Sequence, residues 1–198
     1  MATVVVPFRG SDPKRRLDGL TDDDRVRLAE AMLADVLDAA TSVARVFVVA
    51  SDPPDLPDGA ELIRDPHHGQ GAAVQDGLDA AVAAGAPAPY LVVNGDLPCV
   101  TPRDLLALAG AVPEDGLAIV AAADGTTNAL GFSDGALFEP VYGPGSAQRF
   151  AVLGPARLVD APNLVDDVDT FADLARLEPR LGPRTRRVLE ELRREAAA

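Results

Sequence analysis

The chain has 198 residues, which suit one domain around one large core, and 31 acidic against 18 basic residues give it a net charge of −13. This charge argues against a nucleic-acid-binding protein, which would normally present a basic surface. We see no signal peptide and no apolar run near the ~20 residues of a membrane span, and the single Cys99 suits a reducing compartment, so we expect a cytoplasmic protein that uses no membrane.

Strands alternate with helices through the first 110 residues. Apolar and β-branched runs predict strands at 3–7, 45–50, 61–64 and 90–94, and helical spacing of apolar residues predicts helices at about 21–40, 72–84 and 103–111. Because a strand, a helix and the next parallel strand form a right-handed unit, this alternation predicts a mainly parallel sheet.

The second half of the chain is richer in strands and turns. Strands are predicted at 117–122, 129–132 and 157–159 and helices at 146–152, 170–177 and 182–195, while 137–142 fits no element clearly. The sheet is therefore expected to be mixed. With neither a repeat nor a linker in the sequence, residues 1–198 are predicted to form a single α/β domain.

A carboxylate follows the buried strand at 90–94. Four apolar residues are broken by Asn94 and Gly95, and Asp96 comes next. In open α/β sheets ligands bind outside the carboxyl ends of the strands, so we expect Asp96 to face a cleft. The alternative is that Asp96 only caps the turn before the helix that starts near Thr101.

The loop after the first strand is a candidate phosphate site. It carries Arg9, Lys14 and Arg16 among glycine and proline, and Lys14 is the only lysine in the sequence. Glycine lets a backbone present its amides, and basic side chains neutralise phosphate charge. Neither a P-loop nor a dinucleotide-binding motif is present. The alternative is a solvated basic loop.

A second group of acids, Asp166, Asp167 and Asp169, precedes the predicted helix at 170–177. Mg²⁺ takes one or two carboxylates together with phosphate oxygens and water, so this group and Asp96 would form a metal site if the sheet joins them. A helix cap would explain only one of the three acids.

Two turns are rich in small hydrogen-bonding groups, at 125–128 and at 143–146. Their backbone amides and hydroxyls could hold an anion, although ordinary tight turns have the same composition.

Together these segments resemble the CofC/FbiD guanylyltransferases of coenzyme F420 biosynthesis, within the wider nucleotidyltransferases that include the molybdenum-cofactor guanylyltransferases. The matching segments, which follow one another along essentially the whole chain, are Val6–Arg9 with Lys14–Leu17, Asn94–Pro98, Gly125–Leu130, Tyr142–Ser146, and Asp167–Thr170 with Asp173 and Leu174. The segment Gly95–Pro98 occurs in many nucleotidyltransferases, and its combination with the other segments is much more specific.

The resemblance implies a Rossmann-like nucleotidyltransferase domain that transfers GMP from GTP to a small phospho-acid, either phosphoenolpyruvate or 2-phospho-L-lactate. It also implies that the product passes to the next enzyme of the F420 pathway. The residue roles that it implies are Lys14 and Arg16 with Arg9 on the triphosphate, Asp96 and Asp169 on Mg²⁺, Thr127, Gly143 and Ser146 on the phospho-acid, and Gly71 and Gln75 near guanine. Lys14, Arg16 and Asp96 would be the catalytic set.

Three positions depart from many members of that family. Arg9 stands where lysine is frequent, Gln75 where asparagine is frequent, and Phe171 where proline is frequent. Two other functions stay open at this point. One is a related nucleotidyltransferase that acts on 3-phosphoglycerate, molybdopterin or a sugar phosphate, and the other is a nucleotide-binding domain without catalysis.

Overall fold

The computed structural model describes residues 1–9, 17, 19–52, 54–65 and 69–197. Seven strands within these ranges form one sheet: β1 (Ala2–Phe8), β2 (Ala44–Ala50), β3 (Ala60–Arg64), β4 (Tyr90–Val93), β5 (Leu117–Ala121), β6 (Thr127–Phe132) and β7 (Ala156–Leu158). The helices there are α1 (Asp22–Thr41), α2 (Gln70–Ala83), α3 (Pro102–Ala111), α4 (Ser146–Ala151), α5 (Pro162–Val165), α6 (Phe171–Leu177) and α7 (Pro183–Ala196), with single 3₁₀ turns at Gly135–Leu137 and Glu178–Arg180.

The strands lie in the order β3-β2-β1-β4-β6-β5-β7. Of the strands described, β6 alone runs against its neighbours β4 and β5, and the others are mutually parallel. The prediction of a mainly parallel, mixed sheet is therefore confirmed. The strand order reverses direction between β1 and β4, and in such sheets the crevice at this switch point is where ligands bind.

Apolar side chains cover both faces of the sheet, as the continuous apolar strands require. Along β1, Val4 and Val6 belong to the core that includes residues of α1, α3 and α5, whereas Val5 between them belongs to the core that includes residues of α2 and α4. The two cores hold β1 and β4 rigidly at the centre of the sheet. The residues that follow these two strands are thus mounted on a fixed edge.

A third core joins α1, α6 and α7 behind this edge. It contains Leu17, Cys99 and Val168, each buried. Burial raises the pKa of the Cys99 thiol, which fits the expectation of a small buried side chain. Because Val168 lies in this core, its neighbours in the chain are fixed as well.

Sequence reasoning misplaced the start of β6. We expected a turn over 124–128 and a strand from 129, but β6 begins at Thr127. The backbone N–H of Asn94 donates to the carbonyl of Asn128, and Thr127 pairs with Ala121 of β5, so contacts on both sides extend the strand by two residues. In the unassigned segment 137–142, a 3₁₀ turn ends at Leu137, and the rest of that segment is neither helix nor strand.

In the parts of the chain that are described, no helix is long and apolar enough to cross a membrane.

The start of α7 depends on one buried carboxylate. Asp35 of α1 accepts hydrogen bonds from the backbone N–H groups of Arg184 (3.0 Å) and Thr185 (2.9 Å). A Cβ atom on Gly182 would lie 2.2 Å from the Asp35 carboxyl carbon. Only glycine therefore lets the carboxylate approach the first turn of α7.

We expect Gly182→Ala to lower the free energy of unfolding by about 1–3 kcal/mol, because the added methyl group must displace Asp35 from its two donors. Urea denaturation measures this change. The matched control is Gly110→Ala in α3, where a Cβ meets nothing within 4 Å and helix propensity predicts a gain of up to about 1 kcal/mol. Equal stability of the Gly182→Ala variant and the wild type would contradict the role of Asp35.

Candidate active site

Three carboxylates converge at the end of β4. Oxygen atoms of Asp96, Asp167 and Asp169 all lie within 4.8 Å of one another, and each residue is half-buried. The backbone N–H of Val168 donates to the carbonyl of Asp96 (3.3 Å), which ties the later segment to the strand end. Since Val168 is fully buried between them, Asp167 and Asp169 reach the same cluster from one anchored segment.

The alternative interpretation of Asp96 as a helix cap does not describe the structure. The N-cap of α3 is Thr101, which forms a capping box with Asp104. The N-cap of α6 is likewise Thr170, which forms a capping box with Asp173. Capping is thus done by other residues, and the three carboxylates of the cluster serve some other purpose.

Asp166 does not belong to this cluster. Its carboxylate pairs with Arg176 (2.6 Å) and with Arg180 (2.8 Å). Of the two acids that precede Val168, Asp167 is therefore the one that lies with Asp96 and Asp169.

The carboxylate cluster fits a hard divalent cation. Carboxylate oxygens are the ligands that Mg²⁺ and Mn²⁺ prefer, and the three carboxylates lie close enough together to share one ion. Two or three protein ligands would also leave coordination positions for phosphate oxygens. Asp96, Asp167 and Asp169 are consequently the residues that could hold a metal ion.

A buried pair of hydroxyl groups lies at the same edge of the sheet. Thr127, the first residue of β6, and Ser146, the first residue of α4, are 2.8 Å apart between their Oγ atoms. Thr127 is 4% exposed and Ser146 is fully buried. Two of the three residues predicted to bind the phospho-acid are thus brought together by the fold.

Gly143, the third of those residues, shapes the loop before Ser146. Gly143 and Gly145 have φ angles of 107° and 71°, which side chains other than glycine rarely adopt. The carbonyl of Gly143 accepts a hydrogen bond from the backbone N–H of Ser146 (2.9 Å). These two glycines allow the chain to fold back so that the Ser146 hydroxyl meets Thr127.

Arg149 holds this loop, and sequence reasoning did not identify it. Its guanidinium donates to the carbonyl oxygens of Val141 (3.0 Å), Tyr142 (3.0 Å) and Pro144 (2.6 Å). A basic residue one turn after a glycine-rich loop was the available signal. Its use here is structural, because the guanidinium fixes backbone carbonyls.

Asn94 connects the hydroxyl pair with the carboxylate cluster. Its Nδ2 donates to the carbonyl of Thr127 (3.3 Å), and its Oδ1 accepts from Nε2 of Gln70 at the start of α2 (3.0 Å). From the sequence, Asn94 was only the residue that broke the strand. In the structure it joins the ends of β4, β6 and α2, two residues before Asp96.

The predicted nucleotide-binding residues are placed less completely. Arg9 is exposed directly after β1, at the switch point of the sheet, whereas Lys14 and Arg16 lie outside the described residues. Gly71 lies against Pro140, so closely that a Cβ atom would come within 2.5 Å of the Pro140 side chain. Arg9 is thus the one predicted triphosphate ligand whose position the described ranges give.

Gln75 contacts a different surface from Gln70. Its Nε2 donates to Asp79 (2.9 Å), and it lines a cavity of about 300 Å³ between α2 and the 3₁₀ turn at Gly135–Leu137. Gln70, at the start of α2, is the glutamine that contacts the site through Asn94. The role of Gln75 near guanine stays a prediction.

Known proteins match almost the whole chain. Residues 25–195 match the family model of the MobA-like NTP transferase domain. The phosphoenolpyruvate guanylyltransferase of Nocardia farcinica is 37% identical, over 96% of this chain and 91% of that protein. The 2-phospho-L-lactate guanylyltransferase of Halorubrum lacusprofundi is 35% identical over 88% and 82%, and the 3-phospho-D-glycerate guanylyltransferase of Phenylobacterium zucineum is 34% identical over 97% and 95%.

Solved structures show the same fold at lower identity. A protein of Desulfovibrio desulfuricans assigned as a nucleotide-diphospho-sugar transferase superposes with a TM-score of 0.71 at 17% identity, over 96% of this chain and 94% of that chain. The 2-C-methyl-D-erythritol 4-phosphate cytidylyltransferase of Thermus thermophilus superposes with a TM-score of 0.56 at 21% identity, over 90% and 98%. These structures support the α/β architecture alone.

Proposed function

This chain belongs to the MobA-like NTP transferases and, within them, to the CofC/FbiD guanylyltransferases, and from that premise we propose that it transfers GMP from GTP to a three-carbon phospho-acid. The observation that carries this proposal is that the carboxylate cluster and the Thr127–Ser146 pair share one edge of the sheet, joined through Asn94. The carboxylate cluster suits a complex of a metal ion with a triphosphate, and the Thr127–Ser146 pair suits a small anion. Phosphoenolpyruvate is the proposed acceptor.

The reaction that we propose is a displacement at the α-phosphorus of GTP. A phosphate oxygen of the acceptor forms the new P–O bond, the bond between the α-phosphorus and the α,β-bridging oxygen breaks, and pyrophosphate leaves. A phosphate monoester has its second pKa near ~6 and is mostly dianionic at pH 7. No general base is therefore required.

The main obstacle is repulsion between two anionic substrates. Asp96, Asp167 and Asp169 would hold Mg²⁺, which supplies neutralisation of phosphate charge and polarisation of the phosphoryl group. Arg9, Lys14 and Arg16 would hold the triphosphate as fixed positive charges. In this proposal, an otherwise acidic protein would bring positive charge to the place where its two anionic substrates meet.

Positioning is the second requirement. The hydroxyl groups of Thr127 and Ser146 and the loop at Gly143 would hold the phospho-acid. Both hydroxyls are mounted on buried backbone, so little conformational freedom is lost when the acceptor binds. Gly71 and Gln75 remain the proposed neighbours of guanine.

We also propose that the product passes to the next enzyme of coenzyme F420 biosynthesis and that the protein works in the cytoplasm. A different acceptor, such as molybdopterin or a sugar phosphate, is the second candidate function. The small, buried hydroxyl pair favours a small acceptor over both of these.

The test is release of pyrophosphate from GTP and Mg²⁺ with phosphoenolpyruvate, 2-phospho-L-lactate or 3-phosphoglycerate. We expect release with phosphoenolpyruvate, and a lower rate when ATP or CTP replaces GTP. ³¹P NMR of the same mixture would detect the new diphosphate bond.

Two results would overturn the proposal. Binding of GTP in a calorimeter without turnover of any of the three acids would indicate a binding domain. Turnover only with molybdopterin or a sugar phosphate would move the chain to the second candidate function.

A further inference from the structure

The segment that carries Asp167 and Asp169 is braced from behind by two arginines. Asp166, immediately before it, receives Arg176 Nη1 on one carboxylate oxygen (2.6 Å) and Arg180 Nη2 on the other (2.8 Å). Arg180 is itself anchored, because its Nη1 donates to the Pro162 carbonyl (3.2 Å). Asp166 is thus fixed by both of its oxygens to α6, to the turn after it and, through Arg180, to α5.

Asp173 fixes the other end of the segment. Its Oδ2 accepts from the backbone N–H groups of Asp169 (3.3 Å) and Thr170 (2.9 Å) and from the Thr170 hydroxyl (2.7 Å). Its Oδ1 accepts from Nη2 of Arg176 (3.0 Å). One carboxylate therefore binds the backbone of a cluster residue and the side chain of Arg176 at the same time.

Arg176 closes this arrangement. Its two terminal nitrogens bind Asp166 and Asp173, the residues on either side of 167–170. A planar guanidinium presents such donors in a fixed fork, which a lysine cannot do. The two ends of the segment are consequently held at a set distance by one side chain.

We propose that Arg176 is a positioning residue that, through Asp166 and Asp173, holds Asp167 and Asp169 against Asp96 and so sets the affinity of the site for its divalent cation. The inference rests on the proposed function, because it takes the carboxylate cluster as the metal site. The brace fixes the chain on both sides of Asp167 and Asp169, so these two carboxylates are oriented toward Asp96 before the cation binds. Groups that orient metal ligands typically change metal affinity by 10–100-fold when removed.

The first measurement is the binding of Mn²⁺ to the nucleotide-free protein, which is monitored through the electron paramagnetic resonance signal of free Mn²⁺. The second is the KM for Mg²⁺ in the pyrophosphate-release assay. We expect Arg176→Ala to raise the Mn²⁺ dissociation constant and the KM for Mg²⁺ by about tenfold. The kcat at saturating Mg²⁺ should stay near the wild-type value. The Mn²⁺ dissociation constant of the Arg176→Lys variant should lie between those of the wild type and the Arg176→Ala variant, because lysine keeps the positive charge but lacks the two terminal nitrogens of the guanidinium.

Arg193→Ala is the matched control. Arg193 is 51% exposed against 50% for Arg176, and it also makes two hydrogen bonds to a carboxylate, that of Glu178. We expect wild-type Mn²⁺ binding from this variant. The melting temperatures of the Arg176→Ala and Arg193→Ala variants without metal show how much each change lowers the stability of the protein, apart from any effect on Mn²⁺ binding.

Wild-type Mn²⁺ binding by the Arg176→Ala variant, or an equal loss in the Arg193→Ala variant, would overturn the inference. If the wild-type protein binds no Mn²⁺, both the proposed metal site and the positioning role of Arg176 are wrong. If the wild-type protein binds Mn²⁺ but turns over none of the three acids, the proposed function is wrong, and the positioning role of Arg176 is still tested by the Mn²⁺ affinities of the variants.

Discussion

The Asp96→Asn and Asp169→Asn variants are each expected to lower kcat/KM for GMP transfer by about 10²- to 10³-fold. Each change replaces a charged oxygen ligand with a neutral amide in a cluster whose proposed task is to hold Mg²⁺ against the triphosphate. The measurement is pyrophosphate release at saturating GTP over a range of Mg²⁺ concentrations. Asp167→Asn should also be impaired, since Asp167 shares the cluster.

Asp52→Asn is the control for these variants. Asp52 follows β2, and its carboxylate lies exposed beyond the same edge of the sheet but outside the cluster. We expect wild-type turnover from it. Near-normal turnover in both the Asp96→Asn and the Asp169→Asn variants would show that the cluster is not the metal site.

The sequence predicted which residues lie at the carboxyl edge of the sheet better than it predicted how their side chains are arranged there. The apolar run of β4 placed Asp96 at a strand end because strands covered on both faces have continuous apolar sequence. The resemblance placed Asp96 and Asp169 at one metal site, but the residue pattern alone could not bring them together, because their convergence depends on one backbone contact from Val168 to Asp96 and on the burial of Val168. Tertiary contacts of that kind leave no local pattern.

Side chains that act on the backbone were the hardest to find. Arg149 binds three carbonyl oxygens and Asn94 joins three elements, yet neither residue type identifies such a role in a sequence. The start of β6 was also misplaced, since pairing of Thr127 with β5 and of Asn128 with Asn94 overrides the turn tendency of Asn128. Consequently Thr127 was placed in a turn, although it is the first residue of a strand.

The second large effect is expected at the hydroxyl pair. Thr127→Val and Ser146→Ala should each raise the KM for phosphoenolpyruvate by about 10- to 100-fold, because a hydrogen bond to a charged group contributes about 1.5–3 kcal/mol. The KM for GTP should change little. Steady-state kinetics with each substrate varied in turn separates the two constants.

The neighbouring Thr126 provides the control, because its hydroxyl faces outward and binds Asp124 (2.6 Å) instead of the pair. Thr126→Val should leave the KM for phosphoenolpyruvate unchanged. The double variant Thr127→Val with Ser146→Ala should lose less than the product of the two single effects, since each single change already strips the remaining hydroxyl of its partner at 2.8 Å. Equal KM values for phosphoenolpyruvate in the Thr126→Val, Thr127→Val and Ser146→Ala variants would place the acceptor elsewhere. A strictly multiplicative double variant would instead show that the two hydroxyls bind the acid independently.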